Sequence, residues 1–214
     1  MSSLTKNTAQ NTRLANSTRW FGLAYFILIW SLGFYWWYGN AHEYAVLWFV
    51  PRRTANLSLF FRFATTLGEY YPYLATILLF VLFKKYKNAL LIAIGGLTTI
   101  LFSNLLKDYF RSARPSLYLE YDGHREALLG HIQGVEFMSG AASFPSGHTF
   151  GAFTLYTLLA YFLPKGWQVP LLIIATGVGI SRMYLGQHFL IDVLAGALLG
   201  VFLATIIHFS TKSF

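Results

Sequence analysis

Charge and cysteine are what this sequence has least of. Only 11% of its 214 residues are charged, against about 25% in an ordinary soluble domain, which excludes a typical water-soluble globule. With no cysteine, neither a disulfide framework nor a thiolate metal site can form. Acid is scarcer still: eight Asp and Glu stand against sixteen Lys and Arg, a net charge of +8. A nucleic-acid-binding chain would gather that excess on one polar face. Here the basic residues are scattered at the ends of apolar segments, so a membrane is the better partner and nucleic acid is not expected. What is abundant is apolar, with 56% hydrophobic and 19% aromatic residues.

A helix needs roughly 20 residues to cross the hydrocarbon of a bilayer. Apolar runs approaching that length occur at 20–38, 70–83, 89–106, 149–163, 169–185 and 189–208. The pattern predicts an all-α polytopic membrane protein, six transmembrane helices in one domain over 19–210. Trp20 at one end of the first run and Trp36, Trp37 and Tyr38 at the other are placed as interfacial aromatics. The run is long, and no clear small-residue cleavage site follows it, which argues against a cleaved signal peptide. Residues 1–18 are polar and aperiodic and read as a flexible cytoplasmic tail. The segment 39–69 mixes aromatics with His42, Glu43, Arg52, Arg53, Arg62 and Glu69 and reads as an interfacial segment with an amphipathic piece, between the first and second spans. A loop at 111–145, long enough to suggest function, separates the third and fourth.

With the first helix running outward, eight of the sixteen Lys and Arg fall on each side, a tie. All eight acidic residues then lie on the outer side, leaving a purely basic inner face suited to an anionic leaflet.

Three motifs carry the chemistry. Lys107 and Arg114-Pro115 close the third span; seven apart, the two cations would share one stripe if the helix continued, with Arg111 between them. Pro115 disfavours helical geometry at Arg114. Taken alone, these cations read equally well as snorkelling interfacial residues. Pro145-Ser146-Gly147-His148 enters the fourth span, where Ser146 can cap the helix, Gly147 admits a ligand to the backbone, and the helix N-terminus favours an anion beside His148. A plain helix start with an interfacial histidine has the same appearance. Ser181-Arg182 through His188 to Asp192 spans the turn into the sixth run. His188 and Asp192, four apart, would stack on one helical face, the carboxylate holding one ring nitrogen and leaving the other free to attack. An ionisable pair at a membrane helix end is more often functional than merely self-satisfying. Helix parity puts all three motifs on the same membrane face.

Together, K-x6-R-P, P-S-G-H and S-R-x5-H-x3-D closely resemble the signature of the type 2 phosphatidic acid phosphatase family, which includes glucose-6-phosphatase and vanadium haloperoxidases. The resemblance covers roughly residues 70–208. It implies that Lys107, Arg114 and Arg182 bind phosphate, that Ser146 and Gly147 contact it, that His188 attacks phosphorus, that His148 protonates the leaving oxygen and that Asp192 supports His188. Fixed cations and backbone donors would stabilise the transition state, with no metal and no cofactor.

The expected function is therefore hydrolysis of a lipid phosphate or diphosphate, of the undecaprenyl diphosphate, phosphatidylglycerophosphate, phosphatidate or lipid A type. The expected partners are that substrate and membrane lipids, with oligomeric state left open. Small size resembles bacterial members, an inner-membrane protein with a periplasmic site. A phosphatase of soluble esters and a non-catalytic lipid transporter or binder are the alternatives. A haloperoxidase is excluded by the membrane spans. His42, His124, His131 and His208 have no convincing metal-ligand spacing. Glu69, beside Gly68, reads as an interfacial carboxylate or as a partner for a motif cation, and stays outside the expected site.

Overall fold

The computed structural model describes residues 43–121 and 139–210, together with the helical positions Ile27, Trp30, Ser31, Gly33, Phe34, Trp36 and Tyr38. The expected tail at 1–18, most of the first span, His42, His124 and His131 lie outside the described residues. The chain divides after Gly39 into two units. In the first, the rings of Trp30, Phe34 and Tyr38 stack at successive four-residue intervals, 6.5 and 6.2 Å between centroids, as side chains one helical turn apart must.

Every secondary-structure element among the described residues of the second unit is a helix, in agreement with the all-α expectation. Its helices are α1 (Tyr44–Phe49), α2 (Ala55–Thr66), α3 (Tyr70–Leu82), α4 (Tyr86–Phe110), α5 (Pro115–Tyr121), α6 (Gly147–Phe162), α7 (Gln168–Tyr184) and α8 (Leu190–Ser210). Among the described residues two helices are long and apolar enough to cross a bilayer, the one starting at Tyr86 and Leu190–Ser210. By contrast α3, α6 and α7, at 13, 16 and 17 residues, rise only about 20–26 Å, short of the ~30 Å hydrocarbon core. The expected span at 70–83 stops early for a local reason. Lys84 takes the left-handed conformation (φ 58°), and Lys85 N–H donates to Phe80 O at 2.7 Å while Lys84 N–H donates to Val81 O at 2.9 Å. That pair of bonds is a Schellman stop, and it reverses the chain straight into α4.

The segment expected at the interface is helical too. Thr54 caps α2 by accepting from Leu57 N–H at 3.3 Å. α2 then packs on α7, with Ser58 Oγ 3.0 Å from the Tyr184 hydroxyl and Phe61 stacked on that ring at 4.4 Å. Its other face leaves Leu59, Phe60 and Phe63 exposed. Outward faces elsewhere are equally apolar: Leu74 and Leu78 on α3, Leu97 and Leu101 on α4, and Phe202 on α8 are all more than half exposed. Water is a poor solvent for so continuous an apolar surface.

α6 is the central element, burying Phe150 through Tyr156 without interruption. It is wrapped by α8, α7 and α4. Small residues let the backbones approach: a methyl group at Gly200 of α8 would lie 2.6 Å from Phe153 Cβ and 2.7 Å from Phe150 O, and one at Gly196 would lie 2.7 Å from Ser146 O. Gly196 and Gly200 are four residues apart, the small-xxx-small spacing that brings membrane helices into contact. On the far side, Tyr73 of α3 donates to Gly151 O at 2.8 Å and Thr99 of α4 donates to Thr154 Oγ1 at 3.2 Å.

Because backbone atoms cannot retreat as a side chain can, Gly200→Ala should cost about 1–3 kcal/mol by overpacking. Gly177→Ala on α7, where a methyl meets open space, should be neutral or slightly stabilising. Thermal unfolding of the two variants in detergent, compared with the parent, checks this.

Candidate active site

α7 ends at Tyr184, and a five-residue link carries the chain to α8. Gly186 takes a positive φ of 67° there, and Gln187 N–H and His188 N–H both turn back to Arg182 O, at 2.9 and 3.3 Å. His188 therefore precedes the helix, which corrects the expectation that it shares a helical face with Asp192. The two still meet, by a different route. Asp192, in the first turn of α8, reaches back so that Oδ2 accepts from Phe189 N–H at 3.0 Å, one half of a capping box, and lies 3.4 Å from His188 Nδ1. Ser143 Oγ donates to the same oxygen at 2.6 Å and stands 3.4 Å from His188 Nδ1. His188 and Asp192 are almost wholly buried, at 1% and 2% exposure.

With Nδ1 held by this cluster, Nε2 is the nitrogen left to react. Burial first, then the Arg182 and Arg114 charges, push the His188 imidazole down to about 4, against the upward pull of Asp192. Near neutral pH the ring is uncharged, the form in which a nitrogen lone pair can attack.

The cations arrive from three elements. Lys107 stands in the last turn of α4. The helix does not continue to Arg114: it stops at Phe110, and Arg111 turns left-handed (φ 46°, ψ 39°). Lys107, Arg111 and Arg114 thus do not form the expected stripe. Arg111 stays exposed and donates to Asp108 O at 3.2 Å, while the chain folds Arg114 inward. Arg114 N–H donates to Gly140 O at 3.0 Å, and its guanidinium reaches Gln187 O at 3.3 Å. Pro115 then opens α5, where its missing N–H is harmless. Burial lowers the Arg114 guanidinium below its ordinary value, and Asp192 pulls it back up. Arg182, 3% exposed, donates to Thr65 Oγ1 at 2.6 Å and to Gln187 Oε1. Its buried Nε has no protein partner among the described residues. A phosphate oxygen would satisfy that donor.

Ser146 occupies the N-cap of α6, but its side chain does not cap the helix as expected. Its Oγ pairs with Thr149 Oγ1 at 2.9 Å, and its N–H donates to Asp192 O at 3.1 Å, tying the start of α6 to the start of α8. At Gly147 a methyl would come within 3.0 Å of Ser103 Oγ and 3.4 Å of Lys107 Nζ, so the absent side chain lets that cation stand against the start of α6. His148 follows, its Nε2 3.6 Å from Glu69 Oε1.

Lys107, Arg114, Ser146, Gly147, His148, Arg182, His188 and Asp192 are thus brought to one place. Four residues around them escaped the sequence reading. Ser143 and Gln187 flank motif positions without belonging to a periodic pattern, and Thr65 contacts Arg182 from 117 residues away. Glu69 was visible as an acid beside a glycine but had no sequence signal tying it to His148.

Two outcomes follow from the His188 cluster. If His188 acts as the nucleophile that the motif resemblance implies, it must be neutral, and its lowered folded value means that kcat/KM is retained above that value and lost as pH falls through about 4. A pH profile in detergent locates that acid limb. Ser143→Ala removes a buried hydrogen bond to a charged group, worth about 1.5–3 kcal/mol, and should lower Tm measurably and kcat/KM by roughly 10- to 100-fold.

Comparison with known proteins places this geometry. Residues 86–213 match the PAP2 superfamily. Phosphatidylglycerophosphatase B of Bacillus subtilis is 35% identical over 132 residues, 56% of each chain. Lipid A 1-phosphatase of Rhizobium etli is 35% identical over 111 residues, 48% of this chain and 43% of its own. The chain thus spans about half the length of these curated relatives. The crystal structure of the first transmembrane PAP2 type phosphatidylglycerolphosphate phosphatase from Bacillus subtilis superposes with a TM-score of 0.67 at 27% identity, over 89% of this chain and 96% of that one. By the extent of the match across its site-bearing half, the chain belongs to the PAP2 superfamily.

Proposed function

We propose that this protein is an integral membrane phosphatase that hydrolyses a lipid phosphate or diphosphate through a phosphohistidine on His188, without a metal ion. One observation carries the choice of a lipid. The charged site opens onto an apolar cavity of about 610 Å³ between α3 and α4, with Glu69, Gly147 and His148 lining one part and Leu74, Leu97 and Ile100 another. Those last three are more than half exposed on the outer surface, so the cavity is open sideways. A headgroup can reach His148 while its acyl or prenyl chain stays in apolar surroundings, within the 300–1,000 Å³ range usual for ligand sites. A soluble sugar phosphate would leave that groove unused. The names of the relatives favour phosphatidylglycerophosphate or lipid A phosphates, and undecaprenyl diphosphate and phosphatidate have the same chemistry.

In the reaction, Lys107, Arg114 and Arg182 hold the non-bridging oxygens, assisted by the Ser146 hydroxyl and Gly147 N–H. His188 Nε2 forms a bond to phosphorus as the bond to the leaving oxygen breaks, and that oxygen takes a proton from His148. Asp192 offsets the positive charge that appears on His188. Water then attacks phosphorus, gives its proton to His148, and the P–N bond breaks to release phosphate and neutral His188. Six spans over 19–210, a cytoplasmic tail at 1–18 and a site on the periplasmic face of a bacterial inner membrane complete the reading. Its support is the acid-free inner face and the bacterial relatives.

Phosphate release by the detergent-purified protein from lipid mono- and diphosphates and soluble esters, with excess chelator, tests the proposal. Release should persist in chelator, favour lipid substrates and fall at least ~10⁴-fold in His188→Ala. Equal release by the variant returns the protein to transport or binding.

A further inference from the structure

We propose that Glu69 is a positioning residue for the leaving-group proton: it faces His148 Nε2 and, together with the negative charge of a bound phosphate, favours a proton on that imidazole, so that Nδ1 serves the leaving oxygen. This rests on the phosphatase reading above and adds to it a residue outside the three motifs.

The geometry begins with Gly68. A methyl there would lie 2.6 Å from Val178 Cγ1 and 2.8 Å from His148 O, so only glycine lets the 67–69 turn lie directly on the backbone of α6. Tyr156 fastens the turn by donating to Leu67 O at 2.9 Å, and Tyr73, in the first turn of α3, ties that helix to α6 by donating to Gly151 O at 2.8 Å. Glu69 then stands at the N-cap of α3 with extended backbone (φ −90°, ψ −172°), yet its side chain makes no capping hydrogen bond. An acidic side chain at that position ordinarily serves its own helix. This one instead places Oε1 3.6 Å from His148 Nε2, with both side chains about 30% exposed along the substrate groove.

The charges around His148 explain the need. Without substrate, burial first and then Arg182 of α7, His188 of the link into α8 when that ring is protonated, Lys107 of α4 and Arg114 of the loop after α4 push the His148 imidazole down to about 2. Glu69, from the turn before α3, is the carboxylate within 4 Å of the ring among the described residues. The same cations that hold phosphate would leave the general acid without its proton. A carboxylate beside one nitrogen favours the charged ring and fixes its orientation.

Alkyl phosphates need a proton on the departing alkoxide, whereas a nitrophenyl phosphate does not, because nitrophenolate leaves as the anion. The experiment therefore compares kcat/KM of the full-length parent and Glu69→Gln for phosphatidate in mixed micelles and for 4-nitrophenyl phosphate, each across pH. With the carboxylate gone, His148 loses its proton at lower pH. Glu69→Gln should therefore lose roughly 10-fold or more on phosphatidate and under about 3-fold on the aryl ester, within the range a general acid supplies. The basic limb for phosphatidate should move to lower pH, Glu69→Asp should recover part of the loss, and Glu69→Gln should add nothing in a His148→Ala background. Equal losses on both esters with an unmoved limb, or no loss, would overturn the assignment. If His188→Ala retains activity on both esters, the phosphatase reading itself has failed.

Discussion

The structure turns on a surplus of positive charge held away from water. Arg114 and Arg182 are at least nine-tenths buried, Lys107 lies in their field, and Asp192 is the carboxylate enclosed with them. Burying unmatched charge costs several kcal/mol per ion, so the fold spends main-chain and side-chain acceptors on it: Gln187 O for Arg114, and Thr65 Oγ1 and Gln187 Oε1 for Arg182. Those neutral partners satisfy donors without cancelling charge, and Arg182 Nε is left over. A site in this condition is complementary to a multiply charged oxyanion, and more so to one whose negative charge grows in the transition state.

That surplus is tolerable only because the helices cannot drift apart. Gly196 and Gly200 let α8 lie against α6 at backbone distance, and this contact sets the spacing of the two helix starts. Ser146 N–H can then reach Asp192 O, while the Asp192 side chain turns to His188 and Ser143. Packing deep in the bundle thus decides where the carboxylate stands relative to the P-S-G-H turn. His188 is oriented by helix contact about one and two turns beyond Asp192 along α8.

How much of this the sequence discloses depends on whether a feature is local. The all-α class, the helices at 149–163, 169–185 and 189–208 to within two residues, and the gathering of the motifs were legible, because apolar run length and motif spacing carry them. The stripe of Lys107, Arg111 and Arg114 was not, since it presumed a helix that Arg111 ends in a left-handed turn. The His188–Asp192 pair was right as a contact and wrong as a cause: four-residue spacing also fits a residue before a helix met by one in its first turn. Ser143 and Thr65 were illegible as site neighbours because each depends on tertiary approach. Glu69 beside Gly68 was legible only as a possible partner for a motif cation, and its contact with His148 was not.

The two histidines show why those non-local neighbours matter. In the proposed mechanism identical side chains take opposite roles, an uncharged nucleophile and a proton donor, and the motif assigns neither state. His188 is enclosed, with burial and guanidinium charge keeping it neutral while Asp192 and Ser143 hold Nδ1. His148 stands at the groove, its side chain 31% exposed and its outer nitrogen beside Glu69. Both imidazoles are driven down before substrate binds, so the proton on His148 has to come with the charge of a bound phosphate. The two carboxylates are placed differently: that of Asp192 enters where three donors already converge on it, whereas Glu69 makes no capping hydrogen bond at the start of α3. The fold distinguishes the two imidazoles by what each carboxylate is left free to do.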